Sequence, residues 1–71
     1  MRYKITFEMS ASAAMTAALN AGAESDDEAG LFAIGIKRNS RMKMLVNDEN
    51  QYKILVENQR AGYRVIAIEP G

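Results

Sequence analysis

Apolar and polar residues alternate without a break from Arg2 to Met9. Tyr3, Ile5, Phe7 and Met9 fall on one side, and Arg2, Lys4, Thr6 and Glu8 on the other. A period of two carried by β-branched and aromatic residues predicts a half-buried strand. The period then changes. Ser10 or Ser12 is placed to cap a helix through Asn20, and Gly22 stands just past its end, where a left-handed backbone is wanted. Met15 and Leu19 are the only large apolar residues of that stretch. A helix so rich in alanine lies close to whatever it packs on.

Farther along, Asp48 and Gln51 have the spacing of a capping box and open a helix to about Ala61, with Gly62 as its stop. Tyr52, Leu55 and Val56, flanked by Ile54, give it a broader apolar face. Residues 63–69, YRVIAIE, return to strand composition and end at Pro70, the lone proline. A common plan runs through these pieces: Arg2-Tyr3-Lys4-Ile5 leads through a helix to Ala21-Gly22, and Arg41-Met42-Lys43-Met44 leads through a helix to Ala61-Gly62. Two such units predict a single α+β domain over residues 1–71 with a ferredoxin-like β-α-β-β-α-β order. Its four-stranded antiparallel sheet has the order 4-1-3-2, with both helices on one face.

The middle of the chain supports two readings. Phe32, Ile34 and Ile36 alternate as in a strand over 31–37. Paired with 41–46 through the loop Arg38-Asn39-Ser40, they oppose Val46, Met44 and Met42 in one coherent apolar face. Against this, Ser25-Asp26-Asp27-Glu28 is a capping box with an acidic first turn. Lys37 and Arg38 suit a last turn and Asn39 a stop, so that 26–38 becomes an extra helix and three strands remain. Gly30 and Gly35 would each cost a helix interior about 1 kcal/mol relative to alanine, which favours the strand. The four-stranded sheet is the expectation, and three strands with a helix at 26–38 the alternative.

On the strand reading, the sheet face without helices carries Arg2, Lys4, Lys37, Arg41 and Lys43, with Lys4 near Lys43 and Glu8 near Arg41. Ala33 and Gly35 form a small-residue shelf beside them. Charge over the whole chain is balanced, nine acids against nine bases, which argues against blanket attraction to nucleic acid. Its distribution is uneven, since Glu24, Asp26, Asp27 and Glu28 precede the cations Lys37, Arg38, Arg41 and Lys43. Such a dipolar layout favours oriented docking, a second copy of the chain included.

The chemistry of catalysis finds little footing. With no histidine and no cysteine, the usual neutral-pH base, the best nucleophile and any disulfide are missing. No glycine-rich phosphate loop follows a strand, and the carboxylates of 24–28 lack the alternating spacing and glycine of a calcium loop. The expectation is a chain that is not an enzyme and uses no metal or cofactor. No apolar run approaches the roughly 18 residues of a membrane span, and the alternating amino-terminal segment does not read as a signal peptide. A cytoplasmic location fits the missing cysteines.

What remains is binding. The sequence reads as a non-catalytic protein-binding module, a regulator or phage-type inhibitor of a larger protein, acting through its open sheet face or an edge strand. Arg2, Lys4, Lys37, Arg41, Lys43, Tyr63 and Arg64 are the candidate contact residues, and Leu45 adds apolar area on the open face. A protein is the expected partner, with a homodimer as the form that uses a second copy. The alternative is an accessory single-stranded nucleic-acid binder using the cationic face. Tyr3 and Phe7 point with the core, however, so that face offers no central aromatic on which bases would stack.

Overall fold

The computed structural model covers residues 1–71. Along the chain run β1 (Arg2–Met9), α1 (Ala11–Asn20), α2 (Asp26–Asn39), β2 (Met42–Asn47), α3 (Gln51–Arg60) and β3 (Tyr63–Pro70). The class is α+β, with a three-stranded antiparallel sheet in the order β2-β1-β3. Ser10 starts α1, its Oγ accepting the Ala13 N–H at 3.2 Å. The helix stops at Gly22, whose φ of +107° is a left-handed conformation. Around it the Ala23 N–H reaches the Ala18 carbonyl and the Gly22 N–H the Leu19 carbonyl, at 3.1 and 3.2 Å. This pair of bonds is a Schellman stop.

The expected strand over 31–37 is instead the body of α2, so the four-stranded ferredoxin-like sheet does not form and the three-strand alternative is the one observed. Two causes act together. At the ends, the Ser25 Oγ accepts the Glu28 N–H at 3.1 Å, with Asp26, Asp27 and Glu28 in the first turn and Lys37 and Arg38 in the last. A cap contributes about 1 kcal/mol and well-placed terminal charges about 0.3–1 kcal/mol each, which offsets the two glycines. In the middle, Ala29 and Ala33 are buried, as are Ala14 and Ala18 of α1, and the two helices pack chiefly on each other. Four alanines at four-residue spacing let the helices approach closely. In this setting Phe32 and Ile34 are not the expected core residues; both are exposed.

Without that strand, the expected order 4-1-3-2 reduces to 4-1-3, and those neighbours are the observed ones. Ile5 lies opposite Met44, Phe7 opposite Met42 and Tyr3 opposite Val46. On the other side Phe7 faces Val65 and Met9 faces Tyr63, with a bulge between Thr6 and Phe7 that accommodates Ile66. Ile5, Phe7 and Val46 form the fully buried centre, and Ile54 and Leu55 of α3 pack against it. The start of α3 differs in detail from the expected box. Asn50 is the N-cap residue without a side-chain cap bond, and Asp48 accepts from the Tyr3 hydroxyl at 2.8 Å and the amino-terminal ammonium at 3.2 Å.

The molecule is long. Its principal extents are 46 × 19 × 12 Å and its radius of gyration is 14.0 Å, where a compact domain of this length has about 11 Å. Eight strand residues span about 26 Å and fourteen helical residues about 21 Å, which together account for the long axis. The α1–α2 hairpin thus extends the sheet from the end where β1 stops, rather than folding over it. No helix is long and apolar enough to cross a membrane.

Candidate functional site

Pairing parity decides what the uncovered sheet face displays. Along β1 it carries Arg2, Lys4, Thr6 and Glu8, because the alternate residues turn to α3. Opposite them stand Asn47, Leu45 and Lys43 of β2, and Glu69, Ala67 and Arg64 of β3. Thr6 and Glu8 are nearly buried without a helix above them, Glu8 beneath the side chains of Arg41 and Lys37. Leu45 is not shielded, and is 53% exposed. The face therefore has an apolar spot, Leu45 opposite Lys4, flanked by Lys43 and Arg2, while Glu69 lies on the other side of Lys4 and Arg64 stands farther along, opposite Glu8.

At the end of this face nearest the helical arm, Glu8 gathers cations. Arg41 donates from Nε to Glu8 Oε2 at 2.8 Å, and Lys37 Nζ lies 3.8 Å from Oε1. The carboxyl titrates below its ordinary value, first because the Arg41 hydrogen bond favours the ionised form. The positive charges of Arg41, Lys37 and Arg64 act in the same direction, and desolvation opposes them. A neighbouring staple holds the arm in place: the Met9 N–H donates to Ser40 Oγ at 3.0 Å, and that hydroxyl donates to the Lys37 carbonyl at 2.8 Å. Glu8, Ile34, Lys37, Arg38 and Arg41 line an open cleft of about 170 Å³ where arm and sheet meet. A carboxylate saturated in this way serves as an anchor and is a weak proton acceptor.

Most of the residues singled out from the sequence fall along this face or at its border, and only Lys37 and Arg41 of them line the cleft. Arg2, Lys4, Lys43 and Arg64 lie on the uncovered face, and Arg41 borders it. The anticipated Glu8–Arg41 pair is present, whereas Lys4 stands opposite Leu45 and Lys43 opposite Thr6, so the two lysines are diagonal and not opposed. Lys37 reaches the site from the last turn of α2 and not from a strand. Tyr63 is elsewhere: it opposes Met9 and packs against the core on the α3 side. The Ala33–Gly35 shelf belongs to α2, with Ala33 buried between helices.

Sequence reasoning missed the arm. Leu19, Leu31, Phe32 and Ile34 are exposed on it, Leu31 by 71%. The usable signal was the four-residue spacing of small residues, Ala14/Ala18 and Ala29/Ala33, which marks a close helix pair and turns the large apolar groups outward. Comparison with protein-family models, with curated proteins and with solved structures finds no match. The site is therefore read from its own chemistry.

Proposed function

We propose that this chain is a non-catalytic protein-binding module whose uncovered sheet face receives the partner, with regulation or inhibition of a larger protein as the role. The observation that supports this most directly is Leu45, half out of water opposite Lys4, with Lys43 two residues along its own strand and Arg2 diagonally across. An apolar contact flanked by three cations suits an acidic protein surface that offers one apolar side chain. Interfaces of this kind draw specificity and association rate from the charges and hold through the apolar centre. β2 and β3 are both edge strands, so a partner strand can extend the sheet alongside the same face.

Stacking on nucleic-acid bases has less to work with. Tyr3, Phe7 and Tyr63 all belong to the α3 side of the sheet, leaving the cationic face without a ring.

Affinity capture from host lysate, with and without nuclease, tests the proposal when the wild-type chain is compared with Leu45→Asp combined with Lys4→Glu. Expected is a protein captured equally after nuclease, lost with the double variant and retained by Lys53→Glu on α3. Capture that disappears with nuclease, or that ignores the sheet-face variant, overturns it.

A further inference from the structure

The arm carries a second surface, which meets the sheet-face cleft at Ile34 and Arg38. α2 buries Ala29 and Ala33 against α1 and is otherwise apolar through its middle, with Leu31 71% and Ile34 52% exposed. A helix apolar on both sides belongs between two neighbours, and α2 has only one within its own chain.

The outward stripe of α2 reads the same in both directions. Asp27, Leu31, Ile34 and Arg38 follow one another at spacings of four, three and four, which places them on one face of the helix. A half-turn about the point midway between Phe32 and Ala33 exchanges Leu31 with Ile34 and Asp27 with Arg38. It also exchanges Gly30 with Gly35, which flank the stripe and have no atom within 4 Å of where a Cβ would stand. An antiparallel copy of α2 laid on this stripe therefore meets an apolar residue at each apolar position and an opposite charge at each end. The glycines leave room for its backbone. The two charged ends lie about 16 Å apart along the helix, with the apolar pair between them.

We infer that the chain forms a two-fold symmetric dimer through α2, with a second copy of itself as the occupant of this face. Self-complementarity under a half-turn is what an isologous interface requires. The stripe runs from Asp27, at the end of α2 away from the sheet, to Ile34 and Arg38, which border the cleft beside Glu8 and Arg41.

Sedimentation of the purified chain over a wide concentration range, with circular dichroism to verify folding, is the test. The wild type is expected to reach twice its 7.8 kDa mass. Leu31→Asp, at a position already in water, is expected to lose the doubling while keeping its helical signal. Asp27→Arg and Arg38→Asp, each alone, set like charges at both ends of the pair and are expected to remain monomeric. Mixed in equal amounts, these two variants present opposite charges to each other and are expected to recover the dimer. A wild type that stays monomeric up to millimolar concentration overturns the inference. So does a dimer indifferent to Leu31→Asp, or a charge-swapped pair that fails to associate although both chains are folded.

Discussion

Arg41, just ahead of β2, donates from Nε to Glu8 Oε2 across 2.8 Å and ties the entrance of the second strand to the exit of the first. Lys37 approaches the same carboxylate from the helical arm, so one nearly buried acid links three elements. This junction sets the angle between arm and sheet, and with it the relation between the two proposed surfaces.

Acid should loosen the junction. The Glu8 carboxyl is held below its ordinary value by the Arg41 hydrogen bond, then by the charges of Arg41, Lys37 and Arg64. A carboxylate with a lower pKa folded than unfolded adds stability above its unfolded value, about 4.3, and that stability is lost as pH falls through the folded value. Thermal melts as a function of pH should show Glu8→Gln a few degrees below wild type at neutral pH, with the gap closing in acid. A gap that is constant with pH contradicts this linkage.

Tyr3 and Asp48 form a coupled pair at the other end of the sheet. The 2.8 Å hydrogen bond from the phenol to Asp48 Oδ1 raises the Tyr3 pKa, helped by burial and by the carboxylate charge. Asp48 is lowered, by the same bond first and then by the amino-terminal ammonium. Phenolate absorbance during alkaline titration should reveal one tyrosine ionising late. Asp48→Asn should bring it back toward the ordinary value near 10.0.

Gly22 and Gly62 both stop helices with positive φ, at +107° and +90°, but their surroundings differ. A Cβ on Gly22 meets nothing within 4 Å, whereas one on Gly62 comes within 3.2 Å of the Ala13 Cβ. Gly62 also accepts the Ser10 N–H at its carbonyl, at 2.7 Å, so it cannot easily move away. Gly22→Ala should cost about 1–2 kcal/mol for the left-handed backbone alone. Gly62→Ala should cost more, because it also pushes α1 from the start of β3. Urea denaturation of the two variants compares them directly.

Helix α2 offers the opposite case. Gly30 sits in its first half with open space around it, and alanine there should stabilise the chain by roughly 0.5–1 kcal/mol in dilute solution. Ser25→Ala, which removes the Oγ that accepts the Glu28 N–H, should cost about 1 kcal/mol. Were residues 31–37 a strand, Ser25 would cap no helix and its loss would cost little, so the Ser25 variant also checks the helix.

How far the residues alone reach is clearest where two local signals disagree. For β1, α1, α3 and β3 a single period and a recognisable stop coincide, and each forms near its expected place. Strand parity then correctly anticipates the Glu8–Arg41 pair and the exposure of Leu45. Over 26–38 the signals conflict: the cap and terminal charges ask for a helix, while two glycines and the alternation of Phe32, Ile34 and Ile36 ask for a strand. A strand reading needs β2 as its partner, a helix reading needs α1, and nothing within the segment states which is available.

The chain's local chemistry determined three strands, two helices and which residues of each strand share a face. Backbone period and capping act over a few residues, so these features are legible within each segment. Only the tertiary structure decided the rest. Ala29 and Ala33 join Ala14 and Ala18 in a close helix pair, and that contact converts the disputed segment into an arm. Because the arm extends the sheet instead of covering it, Leu31 and Ile34 stand in water. Whether an apolar residue is core or contact surface depends on what lies across from it, a long-range fact that no short stretch of sequence contains.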